Sequence, residues 1–201
     1  MPRHVLLVTD GIIHPPLTGR WALHRALRLL PGFQFTRIRS LEKLPASLER
    51  FAAMVLYFHH ESLSPAALDS LDRYVRQGGG ILALHSATAS FKDCRPYFEI
   101  LGGRFAGHGP VQPFELVNQN SQIFGEIPNF TVTDELYLHD WHSQIQVHFT
   151  VAREGQEVPV VWTRLHERGK ICYAGPGHTA GSMNHPVYQS LLRRGLEWVA
   201  S

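Results

Sequence analysis

The chain has 201 residues, 44% hydrophobic and 18% charged, a balance that fits a packed domain and excludes a disordered one. The formal net charge is only +2, and Lys and Arg are scattered singly with no basic stripe, which argues against nucleic-acid binding. The longest apolar runs, residues 5–8 and 54–58, are strand-length and too short for a bilayer. No signal-peptide core precedes the first strand, so a cytoplasmic location away from membranes is expected. Cys94 and Cys172 stand far apart, without the spacing of a redox or zinc pair, and read as reduced structural thiols.

Strand and helix signals alternate through the first half. Residues 4–9 read as a strand whose run 5–8 is continuously apolar, as a parallel strand covered on both faces requires. A Gly- and Pro-rich loop over 10–19 follows. Leu23, Leu27 and Leu30 then recur at helical spacing over 21–30, before Pro31-Gly32. Residues 33–38 and 54–58 read as the next strands. Ser64-Pro65 is a helix start, a hydroxyl cap before Pro at the first helical position, with Leu68, Leu71 and Val75 facing inward. Gly78-Gly79-Gly80 ends that helix, and residues 81–84 form a fourth strand. The pattern specifies a doubly wound, mainly parallel sheet.

The second half is richer in strands, with candidates at 112–117, 135–138, 147–151, 158–164 and 170–174. Helical periodicity returns over 186–200 through Tyr188, Leu191, Leu192 and Val199. No repeat, linker or shift in composition divides the chain, so residues 1–201 read as a single domain.

Thirteen histidines are the unusual number in this composition. Ligands of doubly wound sheets gather at the carboxyl ends of the parallel strands. The loops leaving four strands each carry a His to that rim: His14, the pair His59-His60, His85 and His178. Adjacent strand residues face opposite ways, so at most one of His59 and His60 would reach the site. The turn after the fourth strand resembles a nucleophile elbow, with small residues around one raised side chain. That side chain is His85, a base, acid or metal ligand but a poor acyl carrier, with Ser86 beside it. Cys94 falls too late for the elbow, which argues against a Cys-dependent hydrolase.

Further along, His108 follows a Gly-Gly-Arg-Phe segment, and Thr133-Asp134-Glu135-Leu136-Tyr137 precedes His139, Asp140 and His142. If Glu135 begins a strand, Glu135 and Tyr137 share a face, pairing a carboxylate with a phenol that could contact sugar hydroxyls or hold a metal-ligating imidazole. Trp141 is a candidate sugar-stacking platform. His24, His148, His166 and His185 read as surface or packing residues.

Residues 78–88, Gly-Gly-Gly-Ile-Leu-Ala-Leu-His-Ser-Ala-Thr, resemble the ThuA-like (trehalose-utilisation) family. So do Leu101-Gly-Gly-Arg-Phe105 with His108, residues 133–137, Pro159-Val-Val-Trp-Thr-Arg164, Gly177-His178 and residues 191–198, all in order along nearly the whole chain. The resemblance implies a flavodoxin-like sheet of the class I glutamine amidotransferase type, without that enzyme's Cys. It also implies catabolism of trehalose, other disaccharides or their keto derivatives. Carried over residue by residue, it marks His14, His85, His108, Asp134, Glu135, Tyr137 and His178. Ala89 and Thr179 stand where relatives often carry acids, His108-Gly-Pro replaces His-Pro, and Ser121-Gln122 replaces another His-Pro.

Together these readings predict a site with His85, Glu135 and His178 as catalytic groups and Ser86, Asp134, Tyr137 and Trp141 against a small-molecule sugar. His85, His108 and His178, with His14 further out, are the candidate ligands of one divalent ion, Zn or similar. The chemistry expected is hydrolysis or proton transfer. Nothing indicates a nucleotide cofactor, and self-association into a homo-oligomer stays open. The competing reading is a non-catalytic binding or assembly domain that kept the sheet and lost the nucleophile.

Overall fold

Val5, Leu6, Leu7 and Val8 are all buried in β1 (Arg3–Thr9), so the unbroken apolar run does mark a strand covered on both faces. The computed structural model describes residues 2–11, 15–28 and 30–201. After β1 come α1 (Leu17–Arg28), β2 (Phe33–Ile38), β3 (Ala53–Tyr57), α2 (Pro65–Arg76) and β4 (Gly80–Leu84). The chain continues through α3 (Arg95–Leu101), β5 (Gly103–His108), β6 (Gln112–Asn118), β7 (Phe130–Asp134) and β8 (Tyr137–Trp141). It closes with β9 (Gln146–Arg153), β10 (Gln156–His166), β11 (Gly169–Ala174), α4 (Ala180–Asn184) and α5 (Pro186–Val199).

Among the described residues, nine strands form one sheet in the order β2-β1-β3-β4-β11-β10-β9-β6-β7. The first five are parallel, and β10, β9, β6 and β7 extend the sheet antiparallel. β5 and β8 pair separately as a small antiparallel ribbon. The alternation of side chains along the parallel strands sorts them into two cores. Val5, Leu7, Val55, Leu82 and Leu84 pack with Leu23 and Leu27 of α1 and Leu191 and Leu196 of α5. Leu6, Val8, Met54, Leu56 and Ile81 pack on the other face with Leu71 and Val75 of α2 and Phe98 of α3. Each fully buried Leu here contributes about 2 kcal/mol of transfer free energy.

The Ser64-Pro65 signal is borne out. The Ser64 hydroxyl accepts the Ala67 N–H at 3.2 Å and Pro65 opens the helix. Other boundaries differ from the sequence reading. α1 begins at Leu17, inside the stretch read as loop, and α3 carries no side-chain cap that could have announced it.

The main correction lies at Glu135, which was expected to start a strand. β7 ends at Asp134, paired with Gln112 of β6, whereas β8 begins at Tyr137, paired with His108 of β5. Glu135 and Leu136 are the two residues over which the chain leaves one sheet for the other. No helix among the described residues is long and apolar enough to cross a membrane.

Candidate functional site

β4 is buried throughout and delivers His85 at its carboxyl end, the first residue of a short 3-10 turn, His85–Ala89. His85 has φ 43°, a left-handed conformation costing a β-carbon-bearing residue about 1–2 kcal/mol. The turn is tied down because the His85 carbonyl accepts the Tyr173 hydroxyl at 3.1 Å, with the Thr88 hydroxyl also at 3.1 Å. The elbow expected from sequence therefore exists.

The His85 side chain is 0% exposed. Its Nδ1 lies 2.9 Å from the Gly175 carbonyl, which can only accept, so Nδ1 carries a proton and Nε2 is the nitrogen turned to the site. Nε2 faces Glu135 Oε2 at 3.7 Å, and His178 Nδ1 approaches the same oxygen at 3.3 Å. One ligand atom from each of His85, Glu135 and His178 can be chosen so that all three lie within 4.8 Å of one another. Glu135 is 7% exposed, a carboxylate nearly sealed between imidazoles.

His178 is placed by Asp134. The Gly177, His178 and Thr179 amides donate to its carboxylate at 3.2, 3.0 and 3.2 Å, and the Glu135 amide donates at 2.8 Å. A fully buried carboxylate surrounded by backbone N–H groups is an anion in a nest, with charge-assisted bonds compensating its desolvation. Its oxygens face protein amides, so Asp134 positions both His178 and Glu135 and is not presented to a sugar. Gly177 is required at this junction, since a β-carbon there would lie 2.6 Å from His85 Cβ. The Tyr57 hydroxyl donates to the Gly177 carbonyl and fixes the turn from below.

β8 and β5 roof the site. The Tyr137 ring packs on His85 with centroids 4.0 Å apart and on Phe105 at 4.3 Å. Burial, reinforced by Tyr173 and Glu135, raises the Tyr137 phenol well above its ordinary pKa, so it remains a donor at neutral pH. Tyr137 and Glu135 do meet at one site, through the switch between sheets and not through a shared strand face. His108 Nδ1 lies 3.6 Å from Glu135 Oε1 and 2.7 Å from the Gly109 carbonyl. This exposed imidazole therefore approaches the second oxygen of Glu135 and stands outside the three-residue cluster.

The other expected residues fall at varying distances from this centre. Ser86 is adjacent, but its hydroxyl is buried without a hydrogen-bond partner among the described residues. Trp141, 44% exposed, lies two residues beyond His139 on β8, edge-on to Trp162 at 5.2 Å. His14 lies outside the described residues. His60 turns to Asp10 at 3.5 Å, and Arg164 binds the carbonyls of Glu99 and Ile100 near the end of α3.

Two supporting groups had no role assignable from the sequence, although His139 stood in the segment singled out there. His139 lies behind the site with Nε2 3.1 Å from the Thr88 hydroxyl, and burial lowers its pKa to about 3. Tyr173 supports the elbow from β11. Their partners come from distant strands, so no local spacing could have found them. By contrast His148 is a buried histidine satisfied by Ser121 and Thr163 at 2.7 Å each, lowered by burial to about 4. Burial pushes the Cys172 thiol up to about 12, which agrees with an inert structural role.

The fold and its order of motifs can be compared with known proteins. A ThuA-like protein from Parabacteroides merdae ATCC 43184 superposes with a TM-score of 0.89 at 18% identity, over 100% of this chain and 91% of that one. The cytoplasmic protein STM1381 of Salmonella typhimurium LT2 gives 0.70 at 14% identity, over 98% and 99%. A β-galactosidase from Bacillus circulans sp. alkalophilus gives 0.69 at 13% identity, over 98% of this chain but only 31% of its own. At these identities the likeness concerns the fold. A search of curated protein sequences found no match. The family model described as trehalose utilisation, ThuA, matches residues 4–199, and the chain belongs to that family.

Proposed function

We propose that this protein is a cytoplasmic enzyme of trehalose, disaccharide or keto-sugar catabolism, acting by hydrolytic or proton-transfer chemistry at the His85–Glu135–His178 site. The sheet order β2-β1-β3-β4-β11 supports the flavodoxin-like reading and puts this site at the strand ends where such sheets bind ligands. The observation that carries the reading is the convergence of two imidazoles and one carboxylate within 4.8 Å.

The donor set, two nitrogens and an oxygen from His85, His178 and Glu135, would suit a divalent first-row ion such as zinc. The bond between His85 Nδ1 and the Gly175 carbonyl is the outer contact that fixes a ligating tautomer. When bound, such an ion supplies Lewis acidity toward a sugar or water oxygen.

The chain's own groups do the rest. Asp134 holds His178 and Glu135 in register through backbone amides. Tyr137 offers a protonated phenol beside His85 and excludes water from that side. His108 is exposed, and with Nδ1 engaged its Nε2 is the group suited to take a proton from a hydroxyl. A non-catalytic binding role is the second reading, favoured by the full burial of His85.

The test is elemental analysis by mass spectrometry on protein purified without a tag or chelator, together with a disaccharide and keto-sugar turnover screen. One equivalent of metal is expected, lost in the His85→Ala/His178→Ala double variant. His108→Ala should keep the metal and lose turnover. Metal content unchanged by the double variant would remove the metal from the reading, and bound sugar without turnover would favour the second role.

A further inference from the structure

A cavity of about 570 Å³, none of whose lining residues belongs to the His85 cluster, is lined by Arg20, Trp21, His24, Arg25 and Arg28 of α1 and by Arg37 of β2. Helical spacing explains the first five. Arg20, His24 and Arg28 recur at four-residue intervals, as do Trp21 and Arg25, so two adjacent ridges of α1 project the same way. Arg37 reaches in from the neighbouring strand, its Nε donating to the Thr9 hydroxyl at 3.1 Å. No carboxylate among the described residues lines this space.

The positive charge is built in. Arg20 is only 8% exposed, donates to the Gly11 carbonyl, and keeps a buried Nε without a hydrogen-bond partner among the described residues. Burying a guanidinium with a donor unspent is costly, and adding further arginines beside it raises the cost. Asp10 partly offsets Arg20, while Arg37 and Arg39 oppose its charge. His24 is held below its ordinary pKa by burial and by Arg37, Arg20 and Arg28. Nothing in the fold requires this concentration: the same ridges with Lys, Gln or Glu at the outer positions would form the helix equally well. Beside the arginines, the Trp21 indole is 70% exposed, a large apolar face left uncovered.

We propose that this cavity binds a phosphate monoester, with the guanidinium groups holding the phosphate and the body of a small molecule lying against Trp21. Guanidinium forks match phosphate oxygens in pairs, and a monoester dianion offers arginines of α1 and β2 three such oxygens and two charges, where a carboxylate offers two oxygens and one charge. The cavity volume falls in the range of small-ligand sites. The low net charge and the absence of a continuing basic track disfavour a polynucleotide. The site shares no lining residue with the His85 cluster, so it stands or falls apart from the proposed chemistry there.

Calorimetric titration of the whole protein with glucose 6-phosphate, AMP, glucose and inorganic phosphate tests it. At least one ester should bind, and glucose should not. Arg28→Glu and Arg37→Gln should each weaken the ester by about tenfold or more. Trp21→Ala should weaken the ester and leave inorganic phosphate unchanged. Arg28 and Trp21 are exposed, so these variants should fold, and circular dichroism checks it. Arg95→Glu, on the distant α3, is the control. Absence of ester binding at millimolar concentration overturns the proposal. An equal loss in Arg95→Glu, revealing only diffuse attraction, overturns it too, as does a short single-stranded DNA displacing the ester.

Discussion

The two halves of the sheet contribute to the site in different ways. In the parallel half, β1, β3, β4 and β11 are buried on both faces with β2 as the exposed edge, and the imidazoles come from loops just beyond strand ends, His85 after β4 and His178 after β11. The antiparallel half is patterned: β7 alternates buried and exposed residues, and it supplies the carboxylate at the point where the chain abandons one sheet for another. Apolar burial holds the first contribution in place. The second depends on one buried anion, Asp134, whose amide partners span both halves. A site assembled at such a seam should be more sensitive to polar changes at the seam than to loss of any one apolar contact.

The largest effect is expected from breaking that seam. Asp134→Ala leaves buried amides of the Gly177 turn unpaired and should cost on the order of 4 kcal/mol in urea unfolding, abolishing the proposed metal binding even in the folded fraction. Gly177→Ala attacks the same junction sterically, with its new β-carbon 2.6 Å from His85 Cβ. It should cost about 1–3 kcal/mol and displace His85 or His178, read as a loss of metal stoichiometry. Retention of full metal content by both variants would show that the halves are not coupled through this turn.

Next comes pH. Burial lowers His148 to about 4 and His139 to about 3 in the folded chain. Unfolded histidines titrate near 6.5, so the unfolded state takes up protons first as pH falls. The stability these groups confer is complete above about pH 6.5 and declines as pH drops toward 4 and below. A loss on the order of 2 kcal/mol per histidine, about 4 kcal/mol for the two, should appear between pH 7 and 5 in urea unfolding. His148→Gln should flatten that slope, sharpening the distinction between a structural histidine and those at the rim.

The smallest effect belongs to the parallel half's own surface. Ser64→Ala removes the cap of α2 and should cost about 1 kcal/mol in thermal unfolding, without touching metal content. A change in metal content there would mean that the two halves communicate through more than the seam.

The chain's primary structure was enough to locate β1, β3 and β4, because a strand buried on both faces must be continuously apolar, and to place α2 from Ser64-Pro65. It was also enough to single out His85, since small residues beyond a buried strand leave one polar side chain exposed to choice of role. α3 escaped notice for want of a cap, and β5 and β7 for want of partners visible nearby. The role of Asp134 was hidden for a related reason: its bonds go to amides some forty residues away, and an amide has no signature in the side-chain alphabet. Glu135 was recognised for its chemistry and misplaced in its element. Only tertiary structure decided that its carboxylate would stand between His85 and His178, because pairing of β7 with β6 and of β8 with β5 fixes where the chain must turn. Local pattern determines which residues can be strands and which can react. Long-range pairing determines which of the reactive ones meet.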